Sequence, residues 1–336
     1  MDRPKEGISR RGALLTGAGV IGSALALGAP ASILARTEDK RKHPKHPSGT
    51  LPVKQIEDIF QTQGKVSKGV LGLMLFRTDL HLIGPDGARW SPYFQSMDEF
   101  YFQPLGRGLC IMNCDITFTE EERERALDAV LRNGLQIQAQ HQHYIGERPQ
   151  TWHYHFRKIG DPIKIAHECV DVMKATHIPF PQSSSSNPTT PLPKDEMAKI
   201  LGGTADVRED GIVEISVDRR NRENLAGVDI SPELNIASSV TFQPLNSRGT
   251  LAIVGPDIGM TSSEVQRTLI RARSLAFQVH CLYNQETAER PQLYFSHLLK
   301  HGAPLDLARQ VRRVLDETDV DGSPRRDRDS DGDGRY

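Results

Sequence analysis

Four of the chain's twelve histidines fall between positions 141 and 155: His141, His143, His153 and His155. Neutral imidazole is the commonest protein ligand for transition metals, so a cluster of this kind points first to metal chemistry. Along a strand, residues two apart share a face, which puts His141 with His143 and His153 with His155. If the two segments form a hairpin turning at Arg148, His143 lies opposite His153 and His141 opposite His155, about 5 Å apart. That spacing lets imidazoles converge on one ion. Zinc, copper, nickel or non-haem iron suits such a donor set, and an open fourth position permits catalysis. The expected ligands are His141, His143 and His155, with His153 as a fourth ligand or a partner behind them. Glu147, in the turn, is the candidate for an added carboxylate or general base, and Asp115 is a further residue that could join. Two competing readings stay open: a proton-active or substrate-binding site without metal, and histidines that only bond backbone or water.

The elements that must carry these residues follow from periodicity. Leu135 to Tyr144 alternates strictly, with Leu135, Ile137 and Ala139 on the face of His141 and His143, and glutamines on the other. Trp152, Tyr154 and Phe156 take the face opposite His153 and His155 and read as core. An apolar run at Leu109 to Met112 predicts a preceding strand. Thr119 offers a helix N-cap, Glu120 to Glu122 an acidic first turn, and Asn133-Gly134 the stop. A second helix is predicted over 161–175. Strand, helix, hairpin and helix make the core of a ferredoxin-like α+β unit.

This pattern occurs twice. Phe102-Gln103-Pro104-Leu105 recurs as Phe242-Gln243-Pro244-Leu245, and Glu147-Arg148-Pro149-Gln150 as Glu289-Arg290-Pro291-Gln292. Asp115 and His155 match Asp257 and His297, whereas His141, His143 and His153 match Tyr283, Gln285 and Phe295. Fold class is therefore α+β, a tandem duplication with a helix-plus-strands extension before each copy. The first copy is expected to be active and the second a scaffold, with Tyr283 and His297 kept for packing. The boundaries read as 51–180 for the histidine-bearing repeat, 181–194 for a Ser/Pro linker and 195–318 for the degenerate repeat.

The ends read differently. Arg10-Arg11 precedes a mild apolar stretch, and Ala29-Pro30-Ala31 suits a signal peptidase, so 1–35 is expected to be a twin-arginine signal for folded export. A basic linker at 36–50 and an acidic disordered tail at 319–336 complete the chain. Asp327-x-Asp329-x-Asp331-Gly332 opens like a calcium loop, but no completing glutamate follows, and a solvated tail is the better reading. The formal net charge of −1 removes a global basic field for nucleic acid. The four cysteines are too few for a disulfide scaffold. No phosphate-cradling glycine loop, Gly-x-Ser-x-Gly elbow or His-Glu-x-x-His helix occurs.

The stretches 133–149 and 156–162, with His141-x-His143, Pro149 and His155, resemble the LppY/LpqO family of exported bacterial proteins. The resemblance extends over nearly all of the mature chain, although the family's lipobox cysteine is missing. It implies the duplicated fold and the histidine site and no particular reaction. The sequence thus leads to an exported, periplasmic or secreted protein carrying a divalent transition metal, zinc, copper or iron. Its partners are the twin-arginine machinery and a small-molecule or metal ligand, with no nucleic acid and no stable membrane anchor after cleavage. Either a metal-dependent hydrolase or oxidase, or a non-catalytic ligand- or metal-binding module, fits.

Overall fold

In the computed structural model, residues 49–182, 187–220, 223–225 and 227–323 are described. The expected signal, most of the basic linker and the calcium-loop-like run lie outside them. Among the described residues no helix is long and apolar enough to cross a membrane.

The first repeat runs α1 (Val53–Phe60), β1 (Lys65–Ser67), β2 (Val70–Phe76), α2 (Pro92–Gln95), β3 (Met97–Gly106), β4 (Leu109–Thr119), α3 (Arg123–Arg132), β5 (Gln136–His141), β6 (Thr151–Gly160) and α4 (Pro162–Met173). The second runs α5 (Lys194–Leu201), β7 (Thr204–Val207), β8 (Val213–Val217), β9 (Glu223–Leu225), β10 (Val228–Ile230), β11 (Ser238–Pro244), β12 (Ala252–Thr261), α6 (Ser262–Ser274), β13 (Gln278–Val279), β14 (Glu289–Arg290), β15 (Leu293–Gly302) and α7 (Pro304–Leu315). Two sheets with equivalent strand orders result, β1-β2-β3-β4-β6-β5 and β7-β8-β11-β12-β15-β13. The extensions expected ahead of each copy are therefore part of its sheet. Each unit is a six-stranded antiparallel α+β layer, broader than a four-stranded ferredoxin-like sheet.

Both faces of each sheet are buried. On β4, Cys110, Met112, Cys114, Ile116 and Phe118 pack into the core of the first repeat, which also holds α1, α3 and α4 side chains. The intervening Ile111 packs instead with Leu225, Ile230, Leu234, Ile236, Tyr283 and Phe295 of the second repeat. A second shared cluster joins Leu82, Trp90, Phe94 and Tyr144 to Ile212, Ile253 and Leu299. The order of layers is helices, sheet, sheet, helices, with the inner faces meeting.

The recurrent glutamine of the Phe-Gln-Pro-Leu motif locks this pairing. Gln103 Nε2 donates to Asp229 O (2.9 Å) while its Oε1 accepts from Ser231 N (2.8 Å). Gln243 does the same to the other copy's β2–β3 connection, donating to Arg89 O (3.0 Å) and accepting from Ser91 N (2.8 Å). Each copy thus grips the long connection of its neighbour. A second repeated device holds each helix start: the buried pairs Arg77–Glu122 and Arg219–Glu264, both at 2.9 Å. In the first repeat Glu120 to Glu122 form a turn and α3 begins only at Arg123, later than the expected cap at Thr119. In the second, Thr261 and Glu264 form a capping box at α6.

The hairpin differs from the expected register in two ways. His141 pairs with His153, and His155 with Ala139, so the turn is longer and His143 lies beyond the strand. A slip of two residues keeps every side chain on its face, and the histidines stay together. A bulge at Gln138 then reverses the faces upstream: Ile137 pairs with Phe156, while Ala139 pairs with His155. Ile137 packs against the helix-side core. The histidines consequently do not continue that apolar face; they point at the second repeat. Chain order extends past the expected second-repeat boundary, since Val320 is fully buried and Asp319 accepts from Arg220 (2.7 Å). The four cysteines are free thiols.

Candidate metal centre between the repeats

Across β4, β6 and β5 the register sets Asp115 beside His155, and Thr117 beside His153 and then His141. His143 joins them from the start of the turn. All four histidines and Asp115 are buried, none more than 7% exposed. The second repeat closes the cluster with the equivalent row, Asp257 beside His297. The His143 ring lies 3.9 Å from that of His297, and His141 stacks on Tyr283 at 3.6 Å. Two triads have ligand atoms within 4.8 Å of one another: His141, His143 and His297, and Asp115, His143 and His153.

Hydrogen bonding leaves these rings available. His153 Nδ1 faces Asp115 Oδ1 at 3.1 Å, which places the proton on Nδ1 and the lone pair on Nε2. That Nε2, and both ring nitrogens of His141, His143 and His155, are buried with no hydrogen-bond partner. Buried polar atoms are normally satisfied, and a convergent set of orphans needs an explanation. Asp257 is better occupied, accepting from Tyr283 Oη (2.9 Å) and Gln285 Nε2 (3.3 Å).

Charge follows the geometry. Burial, reinforced by the neighbouring imidazoles, holds His141 and His297 well below the ordinary histidine range. Burial and His153 push His143 down to about 4 despite Asp115, and burial also lowers His155. These rings are neutral near pH 7, the form that ligates metal. Burial alone would raise Asp115, but His155, His153 and His143 outweigh it and hold the carboxyl well below its usual range. Asp257 has too few such partners, and burial pushes it up to about 7.

The expected residues are thus distributed as follows. His141, His143 and His153 fall in the triads; His155 lies in neither, though its Nε2 is 3.7 Å from Asp115 Oδ2. Glu147 caps the turn: its Oε1 accepts from Thr151 N (3.0 Å) and from the Thr151 hydroxyl. Glu289 does the same for Leu293 N (2.8 Å), so the recurring Glu-Arg-Pro-Gln is a turn signature. What the sequence reading missed is His297. The second copy contributes side chains to the cluster, because its retained Asp257–His297 pair faces the first copy's histidines. Retention of that pair where the other histidines are replaced was the available signal.

The family described as a Domain of Unknown Function (DUF1259) matches residues 54–175 and again residues 195–317. The chain belongs to this family, with one copy of its domain in each repeat. The match corrects the expected membership of the LppY/LpqO family: the family model that the chain fits is this one, in both repeats. No curated protein and no solved structure shows significant similarity to the chain.

Proposed function

We propose that this is an exported metalloprotein whose two repeats jointly hold one divalent transition metal, with His141, His143 and His297 as the primary ligands. Asp115 and His153 stand behind or beside them, and His155 fills the adjoining position. One observation carries the reading: ring nitrogens from both repeats converge within ligand distance, and those of His141 and His143 have no hydrogen-bond partner, while His297 Nδ1 sits 3.3 Å from the Cys281 thiol. Imidazoles with a single carboxylate suit zinc, copper or iron better than the oxygen-seeking calcium or magnesium. Such an ion supplies Lewis acidity or redox chemistry, and the chain's own groups would orient it: Asp115 fixes the His153 tautomer, and Tyr283 stacks on His141. We assign the protein to metal-dependent hydrolysis or oxidation. A non-catalytic binding module is the second reading, favoured by the complete burial of the ligands. Each unit we read as a ferredoxin-like core, β4-α3-β5-β6-α4, widened by the strands before it. The twin-arginine segment supports export in folded form, which suits a site completed only when both repeats have docked.

The test is elemental analysis of untagged mature protein from its native export route, beside His141→Ala/His143→Ala and His297→Ala variants. About one equivalent of transition metal in the wild type, lost in both variants while the fold survives, is expected. No metal in any of them, including after reconstitution with zinc, copper or iron, sinks the proposal.

A further inference from the structure

Between the open edges of the two sheets lies a cleft of about 750 Å³. Its first wall is the inner face of β2, including Val70, Gly72, Met74 and Phe76, with Tyr93 and Tyr101 beside it. The facing wall is the inner face of β8 with the start of β11, carrying Glu214, Ser216, Asp218 and Ser239. Volume and position between two units are those of small-molecule sites.

Cross-strand register connects this cleft to the histidines. Met74 pairs with Glu99, Glu99 with Asp115 and Asp115 with His155. In the other repeat Ser216 pairs with Ser239, Ser239 with Asp257 and Asp257 with His297. Directly paired residues share a face and sit about 5 Å apart. Both rows therefore begin at the cleft and end at the cluster. Between them lies a bridge, Arg208 to Glu214 at 2.5 Å and to Glu99 at 3.7 Å, with the guanidinium 5.7 Å from the Phe76 ring centre.

The lining also selects a ligand class. Its three cations are already matched: Lys65 with Asp206 (3.1 Å), Lys68 with Asp218 and Glu233 (both 2.8 Å), and Arg208 as above. An anion would have to break one of these pairs. What remains is an apolar, partly aromatic wall opposite a polar one. There Glu214 and Asp218 are already engaged by Arg208, Ser239 and Lys68 and accept further hydrogen bonds only through spare lone pairs, while Ser216 is exposed. A molecule with a flat apolar face and hydroxyl donors along its edge fits both.

Building on the metal reading above, we infer that the inter-repeat cleft binds a neutral polyhydroxylated ligand, of sugar or polyol type, and is coupled to the metal centre through the Glu99–Asp115 and Ser239–Asp257 pairs. The test is calorimetric titration of metal-loaded mature protein with glucose, mannitol and cellobiose, against gluconate and glucosamine. At least one neutral compound is expected to bind, with gluconate at least tenfold weaker. Ser216→Trp, an exposed position that fills the cleft, is expected to weaken binding more than tenfold while circular dichroism and metal content stay constant. No saturable binding by any neutral compound, tighter binding of gluconate or glucosamine, or binding unchanged in Ser216→Trp overturns the assignment. Ligand binding should also shift the electron paramagnetic resonance spectrum of copper-loaded protein; binding with an unaltered spectrum overturns the link to the metal. The His141→Ala/His143→Ala variant should keep neutral-ligand binding, since neither residue lines the cleft. Failure of the metal reading is thus seen separately from failure of this one.

Discussion

His143 and His297 stack with ring centroids 3.9 Å apart, although one belongs to the first repeat and the other to the second. That contact defines the protein's architecture as much as its site. Two α+β sheets, each unable to bury its inner face alone, meet there and enclose both groups of side chains that, among the described residues, could hold a metal ion.

The first prediction follows directly. Replacing His297 by Ala should reduce metal affinity as strongly as replacing His143, even though its own repeat lacks the other histidines. Loss of a mere outer partner typically costs 10–100-fold, and loss of a ligand should cost at least that. Competition titration with a chromophoric chelator measures it. An unchanged affinity in His297→Ala would confine the site to the first repeat.

The motif glutamines supply the second. Gln103 and Gln243 each make two hydrogen bonds to the opposite repeat and are nearly fully buried, at 1% and 7% exposure. Truncation to Ala leaves a buried donor and acceptor unmet, and about 1–3 kcal/mol of stability should be lost for each. The two sites share no partners, so the double variant should lose about the sum. Urea denaturation of both single variants and the double variant decides this, and a free energy unchanged within error would remove the glutamines from the interface account.

How far the sequence showed all this depends on which periodicity was intact. The hairpin histidines were legible because a strand's period of two survives a two-residue slip, so His141 and His153 stay on one face whichever register forms. The bulge at Gln138 was not legible, since no glycine or proline marks it, and it is what turns the histidines from the helix side to the other repeat. The run Leu109 to Phe118 carried a further signal. One face, Cys110 to Phe118, is wholly apolar, while the other begins with Leu109 and Ile111 and turns polar at Asn113, Asp115 and Thr117, and periodicity alone does not say what covers that second face. The place of His297 in the cluster was hidden for a related reason: aligning the repeats compares equivalent positions, whereas the cluster is made by opposed ones.

A third prediction concerns the buried ion pairs. Arg77 and Glu122 are both fully buried, and Arg77 also donates to Thr117 O at 2.8 Å. Arg77→Met should cost about 3–5 kcal/mol, because it takes the guanidinium away from both Asp79 and the buried Glu122, which then keeps its Thr119 and His177 contacts. Arg77→Met/Glu122→Leu should recover only part of that loss, since an apolar pair needs no counter-charge but leaves the Thr119 and His177 amides without their acceptor. Thermal and chemical denaturation of the three proteins gives the comparison. A double variant less stable than Arg77→Met would show that the bridge contributes more than its own desolvation removes.

The last prediction is a pH dependence set by Glu289. Burial, with Glu286 and Glu223 adding to it against the Leu293 amide and Arg157, pushes its carboxyl up from 4.5 to about 8. Its Oε2 is buried without a hydrogen-bond partner. A carboxyl with a raised folded pKa binds its proton more tightly folded than unfolded. Its stabilising contribution is therefore complete below about pH 4.5 and is lost as pH rises through about 8. Glu289→Gln removes the ionisation while keeping an acceptor for Leu293 N, and it should flatten the fall in melting temperature between those limits. At pH 8 the variant should be more stable than wild type by up to about 4 kcal/mol, the linkage value of a carboxyl raised from 4.5 to about 8. At pH 4.5 the two should be nearly equal. Glu286 and Glu223, each raised to about 7, leave part of the slope in place. A variant whose melting curve tracks wild type across the whole range would mean that Glu289 takes up its charge with a partner, and that the turn it caps tolerates the anion.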